Sequence, residues 1–150
     1  MGSEKTEQIV LNMVNFYILF EKEFMELVPI INIPEITPML SRMLNEIHLQ
    51  GKTTSSELSK HLNLSLPNTS RAVNTLYQLG YINKTQDVND KRIGYITLSI
   101  EGVELVKQFL VIYQEKFFEK LSHLSEAEIE HLNESFSTIK DLFIKMREVK

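Results

Sequence analysis

The chain has no cysteine and only four histidines. Without thiols there is no disulfide, no thiolate metal ligand and no cysteine nucleophile or oxidant sensor. His48, His61, His123 and His131 form no close His-x-x-His or His-x-x-x-His pair, so they read as surface or capping residues rather than zinc ligands. Five glycines build no Gly-rich phosphate loop, and there is no Gly-x-Ser-x-Gly elbow. No apolar run is long enough to span a bilayer. The polar stretch Glu4-Lys5-Thr6-Glu7 is unlike the basic-then-apolar start of an export signal. We therefore expect a cytoplasmic protein with no membrane contact, no metal, no cofactor and no enzymatic activity.

What is present suits a small globular protein. Its 150 residues fit one domain, and 43% apolar content can build a core. The net charge of −4 argues against a polyanionic partner, but its distribution argues otherwise. Between Lys52 and Ile100 there are six Lys/Arg and three Asp/Glu, a balance of +3, which leaves −7 to the two ends. A basic centre between acidic ends suits a protein that meets phosphates with one face.

That centre carries the informative pattern. Thr54-Ser55-Ser56-Glu57 reads as a capping box that starts a helix, with Leu58 and Leu62 on its apolar face. Asn63-Leu64-Ser65 is a turn, Ser65 an N-cap, and Pro67 sits in the first turn of the next helix. That helix is expected over Asn68–Leu79, with Val73, Leu76 and Leu79 on its buried side, closed by Gly80. Asn68, Thr69, Ser70 and Arg71 are left to solvent near its N-terminal half, the part of a recognition helix that reaches base edges. Tyr81–Lys84 and Ile93–Leu98 read as strands joined by a polar loop ending in Lys91-Arg92. Ser99-Ile100-Glu101-Gly102 opens another helix. Two strands and a basic loop beside a recognition helix make a winged helix-turn-helix.

The run Leu62-Asn63-Leu64-Ser65, with Arg71, Val73, Leu76, Gly80-Tyr81-Ile82, Asp90-Lys91-Arg92 and Leu98-Ser99-Ile100-Glu101-Gly102, resembles the MarR family of bacterial transcriptional regulators. Upstream, Ile36-Thr37-Pro38 and Thr54-Ser55-Ser56-Glu57-Leu58 resemble the starts of that family's second and third helices. The motifs cover residues 34–104. The resemblance implies a mainly α fold with a small β-hairpin wing (α+β). A winged lobe over 36–99 would be flanked by dimerisation helices at 5–28 and 100–148.

The flanks carry amphipathic helices of their own. Residues 5–28 place Ile9, Met13, Phe16, Phe20, Phe24 and Leu27 on one face, and a break with three prolines runs from Pro29 to Pro38. Residues 38–50 form a second helix stopped at Gly51. Residues 100–122 align Val103, Val106, Leu110, Tyr113, Phe117 and Leu121. A capping box at Ser125–Glu128 opens a helix whose Ile129, Leu132, Phe136, Ile139, Phe143 and Met146 follow a heptad rhythm. These faces pack either on the winged lobe of a monomer or in a two-fold dimer that sets two recognition helices about one DNA turn (~34 Å) apart.

The DNA-contact candidates are Ser65, Pro67, Asn68, Thr69, Ser70, Arg71, Lys84, Lys91 and Arg92. Arg92 is suited to the minor groove, with Asp90 holding a nearby guanidinium in place. Leu66 and Pro67 depart from the polar residues common in relatives and favour apolar contact with a thymine methyl. The resemblance also implies a cavity for a small aromatic or apolar effector, with Phe16, Tyr17, Phe20, Met39, Met43 and Tyr113 as lining candidates beside their packing role. The resulting expectation is a homodimeric, ligand-responsive repressor on a pseudo-palindromic double-stranded DNA operator. The alternative is the same fold used as a protein-interaction module without specific DNA binding.

Overall fold

The computed structural model describes residues 2–25 and 33–148. Leu27, Pro29 and the last residues of the expected first helix lie outside the described residues. The elements run α1 (Ser3–Glu23), α2 (Pro38–Gln50), α3 (Ser55–Leu62), α4 (Leu66–Gln78), β1 (Ile82–Gln86), β2 (Gly94–Leu98), α5 (Ile100–Leu121) and α6 (Glu126–Glu148). They divide into two compact units, residues 30–112 and residues 1–29 with 113–150.

The 30–112 unit holds the buried core. Local chemistry starts each helix. The Thr37, Thr54 and Ser65 hydroxyls accept from the backbone N–H three residues on, each at 3.2 Å. Each satisfies one orphan donor of a helix N-terminus. Apolar faces from every element then close on one another: Leu40, Met43, Leu44 and Ile47 of α2, Leu58 and Leu62 of α3, and Ala72, Val73 and Leu76 of α4. Ile82 and Ile96 of the hairpin and Leu105, Val106 and Phe109 of α5 complete it. Burying side chains of this size contributes roughly 1.5–3 kcal/mol each.

β1 and β2 are antiparallel, in register from Ile82–Leu98 to Gln86–Gly94. A third segment joins them: Thr53 N donates to Ile96 O at 3.0 Å, and Ile96 N donates to Thr53 O at 2.8 Å. This bridge ties the α2–α3 connection to the hairpin.

Several boundaries differ from the sequence reading. α4 begins at Leu66, and Leu79 is its C-cap, 37% exposed rather than buried. The buried stripe is instead Thr69, Ala72, Val73 and Leu76. Gly80 adopts φ 83°, which lets the chain turn from α4 into β1. β1 extends to Gln86 because Thr85 and Gln86 pair with Tyr95 and Gly94, so the wing loop is shorter than the sequence suggests.

In the 1–29 and 113–150 unit, aromatic rings link the helices. Phe16 stacks on Phe20, Phe20 on Phe24, Phe24 on Phe117 and Tyr113 on Phe117, and Phe16 meets Phe136 edge-on. Lys120 pairs with Glu23 at 2.7 Å. At Ser125 the capping box is reciprocal: Glu128 N donates to Ser125 Oγ, and Ser125 N donates to Glu128 Oε2. Yet no described residue of α1 or α6 is buried. Apolar residues surround α1: Val10, Leu11, Val14, Ile18 and Leu19, off the predicted face, are as exposed as Ile9 and Met13.

Candidate nucleic-acid interface

The helix-turn-helix is built by short-range bonds. α3 ends where Asn63 turns left-handed at φ 53°, and Leu64 N donates to Ser59 O while Ser59 Oγ donates to Leu64 O. Glu57 does not reach back to the Thr54 N–H. Its Oε2 accepts from Thr53 Oγ1 at 2.9 Å, coupling the start of α3 to the buried Thr53 bridge.

α4 presents Ser65, Leu66, Pro67, Asn68, Ser70 and Arg71 to solvent. Thr69 is a correction. It is fully buried, and its hydroxyl donates to Ser65 O, so it braces the turn and faces no groove. Its place in the stripe with Ala72, Val73 and Leu76, at helical spacing, was the signal that reveals this. Arg71 Nη2 donates to Asn68 Oδ1. This link orients the guanidinium along the exposed face and engages the Asn68 amide oxygen.

The wing is a hydrogen-bonded frame. Asp87 Oδ1 accepts from the N–H groups of Asn89 and Asp90 at 2.8 and 2.9 Å, and Asp87 Oδ2 accepts from the Tyr95 hydroxyl at 2.9 Å. These bonds, those from the Asn89 and Asp90 N–H groups first, hold the Asp87 carboxyl below its ordinary pKa; the same contact raises that of Tyr95. Asp87 N and Ile93 N close the loop backbone onto Ile93 O and Asp90 O. At the tip Asp90 grips Arg92 with both oxygens, accepting from Nε at 3.0 Å and Nη2 at 2.9 Å, and it also takes the Arg92 N–H. The pairing lowers the Asp90 pKa and raises that of Arg92. The Arg92 side chain is nonetheless 91% exposed. Lys91 beside it is exposed as well.

Sequence reasoning missed five residues of this region. Asp87 was legible, since aspartate favours the first position of a turn through such bonds. Lys52, whose Nζ lies 4.0 Å above the Tyr95 ring, and Thr53 carry no local signal. Asn74 accepts from Lys84 Nζ, and Tyr77 lies under the same ammonium at 4.8 Å.

The effector candidates fall into separate units. Phe16, Tyr17, Phe20 and Tyr113 belong to the 1–29 and 113–150 unit, where Tyr17 is 61% exposed. Met39 is half-buried in the other. Met43 is fully buried in that unit's core, so it fills space between helices rather than lining a cavity. His61 lies at the α2–α3 contact, its Nδ1 2.6 Å from Gln50 Nε2 and 3.1 Å from Glu46 Oε1. Among the described residues no group of three or more His, Cys, Asp or Glu is placed to hold a metal ion.

A capped α3–α4 pair followed by a framed β-hairpin defines a winged helix-turn-helix. Residues 36–93 match the model of the MarR family. The match runs from the start of α2 into the wing, so the winged lobe is similar to that of the MarR family. Two curated relatives from Bacillus subtilis are similar to it. The uncharacterized HTH-type transcriptional regulator YhbI is 32% identical over 53% of this chain, and YwhA, described likewise, is 34% identical over 45%. The chain spans about half the length of each, 51% and 49%. Among solved structures, a mutant MepR from S. aureus superposes with TM-score 0.70 at 21% identity, covering 87% of this chain and 96% of that one. A mutant MarR from E. coli complexed with operator DNA gives 0.55 at 21% identity over 88% and 95%. FabT of Streptococcus pneumoniae in complex with DNA gives 0.56 at 17% over 95% of both. Among the described residues no helix is long and apolar enough to cross a membrane.

Proposed function

We propose that this protein is a sequence-specific DNA-binding regulator of transcription that acts as a homodimer on a pseudo-palindromic operator. The observation that carries the reading is the pairing of an exposed polar α4 face with a wing whose Arg92 is aimed outward by Asp90. A helix can enter the major groove, while an oriented guanidinium fits the negative potential of a narrow minor groove. The DNA held by structurally similar MarR and FabT supports the same reading.

Dimerisation is supported by α1 and α6. α1 carries apolar residues on all sides and α6 an apolar seam, and neither helix buries a residue here, so both need cover. A two-fold partner buries both seams and supplies the second recognition helix. Repression follows where the operator overlaps a promoter. A small aromatic or apolar effector that favours a helix spacing unsuited to adjacent major grooves releases the DNA by its differential affinity for the two states.

The test is selection of duplexes from a random pool by the purified protein, followed by salt titration of the selected sequence. Enrichment of an inverted repeat, with affinity falling as salt rises, is expected. Failure to enrich any sequence overturns the proposal and leaves a protein-interaction module.

A further inference from the structure

Between α3, α4 and the hairpin lies an open groove of about 200 Å³, lined by Ser55, Ser70, Asn74, Lys84 and Tyr95 over a floor that includes Val73 and Ile96. We propose that this groove seats a single backbone phosphate of bound DNA, with Lys84 as the contact and Asn74 as its positioning residue. The inference rests on the DNA-binding reading and adds a site to it.

Three observations carry it. First, position: a helix in the major groove and a wing in the adjacent minor groove must straddle the sugar–phosphate strand between them. The gap between α4 and the hairpin is where that strand passes. Second, chemistry: the groove presents an ammonium, two serine hydroxyls and an amide with no carboxylate among its lining residues, the Tyr95 hydroxyl being donated to Asp87. That is a donor set for an anion. Its open volume leaves room for a phosphate and its ester oxygens. Third, preorganisation: Lys84 Nζ donates to Asn74 Oδ1 and rests 4.8 Å over the Tyr77 ring. Ser70, Asn74 and Tyr77 follow one another at helical spacing on α4, so one stripe of that helix confines the ammonium at the groove. An exposed lysine would otherwise sample many rotamers, and this confinement reduces the entropy lost on contact.

The experiment uses the full chain and a duplex selected from a random pool, resynthesised with single neutral methylphosphonate linkages. One linkage per half-site should weaken wild-type binding by roughly tenfold, as expected for a lost charge-assisted bond. Lys84→Gln should bind the unmodified duplex correspondingly less tightly. It should also lower the salt slope by about 0.9 per half-site contact, and become indifferent to that linkage. Lys84→Arg should restore sensitivity. Asn74→Leu should weaken binding while retaining sensitivity to the same linkage, because the lysine charge remains. If Lys84→Gln still pays the full penalty at that linkage, the groove assignment fails and the DNA-binding reading stands. If the wild-type chain selects no duplex, the DNA-binding reading itself fails.

Discussion

Substituting Gly102 with alanine tests how the winged lobe is closed. Gly102 lies in the first turn of α5, packed against the chain where it leaves Gly80 for β1. Ser99 caps this junction. Its hydroxyl donates to Gly80 O and accepts from Gly102 N, and Ser99 N donates to Tyr81 O. A Cβ on Gly102 would overlap the Tyr81 carbonyl oxygen and stand 3.4 Å from Leu98 Cδ2. The obstacle is backbone held by Ser99, so no side-chain rotation relieves it. Two effects oppose each other. Alanine is better than glycine within a helix by roughly 0.8–1 kcal/mol, less in a first turn. Overpacking a tight core costs about 1–3 kcal/mol, with rigid backbone placing this case at the upper end. The net is a destabilisation of about 2 kcal/mol. For a lobe of this size that is a fall in melting temperature of roughly 8–16 °C. Thermal unfolding followed by circular dichroism measures it. Gly94→Ala is the control, since a Cβ there meets nothing within 4 Å and should shift the midpoint little. A Gly102→Ala variant as stable as wild type, or more so, would refute the close approach of α5 to Tyr81.

Four further outcomes are expected. Arg92→Ala should lower specific DNA affinity about tenfold or more with unchanged melting temperature, and Asp90→Ala should lose part of the same affinity; equal affinity in gel-shift titrations for both variants would remove the wing from the interface. Phe136→Glu should convert the proposed dimer to monomer in sedimentation velocity, because a carboxylate in an apolar seam goes unpaired; an intact mutant dimer, or a monomeric wild type, refutes the seam. Asp87 has a depressed pKa in the fold, so its contribution to wing order is fully present above the ordinary aspartate pKa of about 4 and is lost as pH falls through the lower folded value; protection of the wing amides, corrected for intrinsic exchange, should fall over that acidic window, and Asp87→Asn should remove the Asp87 part of that fall while the part from Asp90 remains. Arg71→Ala and Asn68→Ala should relax base preference at the same half-site position, since Asn68 orients Arg71; selection profiles that change at two unrelated positions would show that the two side chains read separately.

The parts legible in the sequence are those set by residues three or four apart. The starts of α2, α3 and α4 follow from Thr37, Thr54 and Ser65, because a hydroxyl there meets a free backbone N–H whatever the rest of the chain does. The turn at Gly80 and the grip of Asp90 on Arg92 are likewise local. Tertiary structure decided what depends on chain closure. Lys52 meets Tyr95, Thr53 pairs with Ile96, and Asn74 meets Lys84 only after the hairpin folds back on α3 and α4. Burial of Thr69 and Met43, both assigned to sites from sequence, was settled the same way. A polar or flexible side chain leaves its choice between surface and core to whatever packs over it. The sequence by itself determined which helices form and which residues cap the starts of α2, α3 and α4. Which of their faces remain open to a partner depended on the packing of segments far apart in the chain, and no local pattern encodes that.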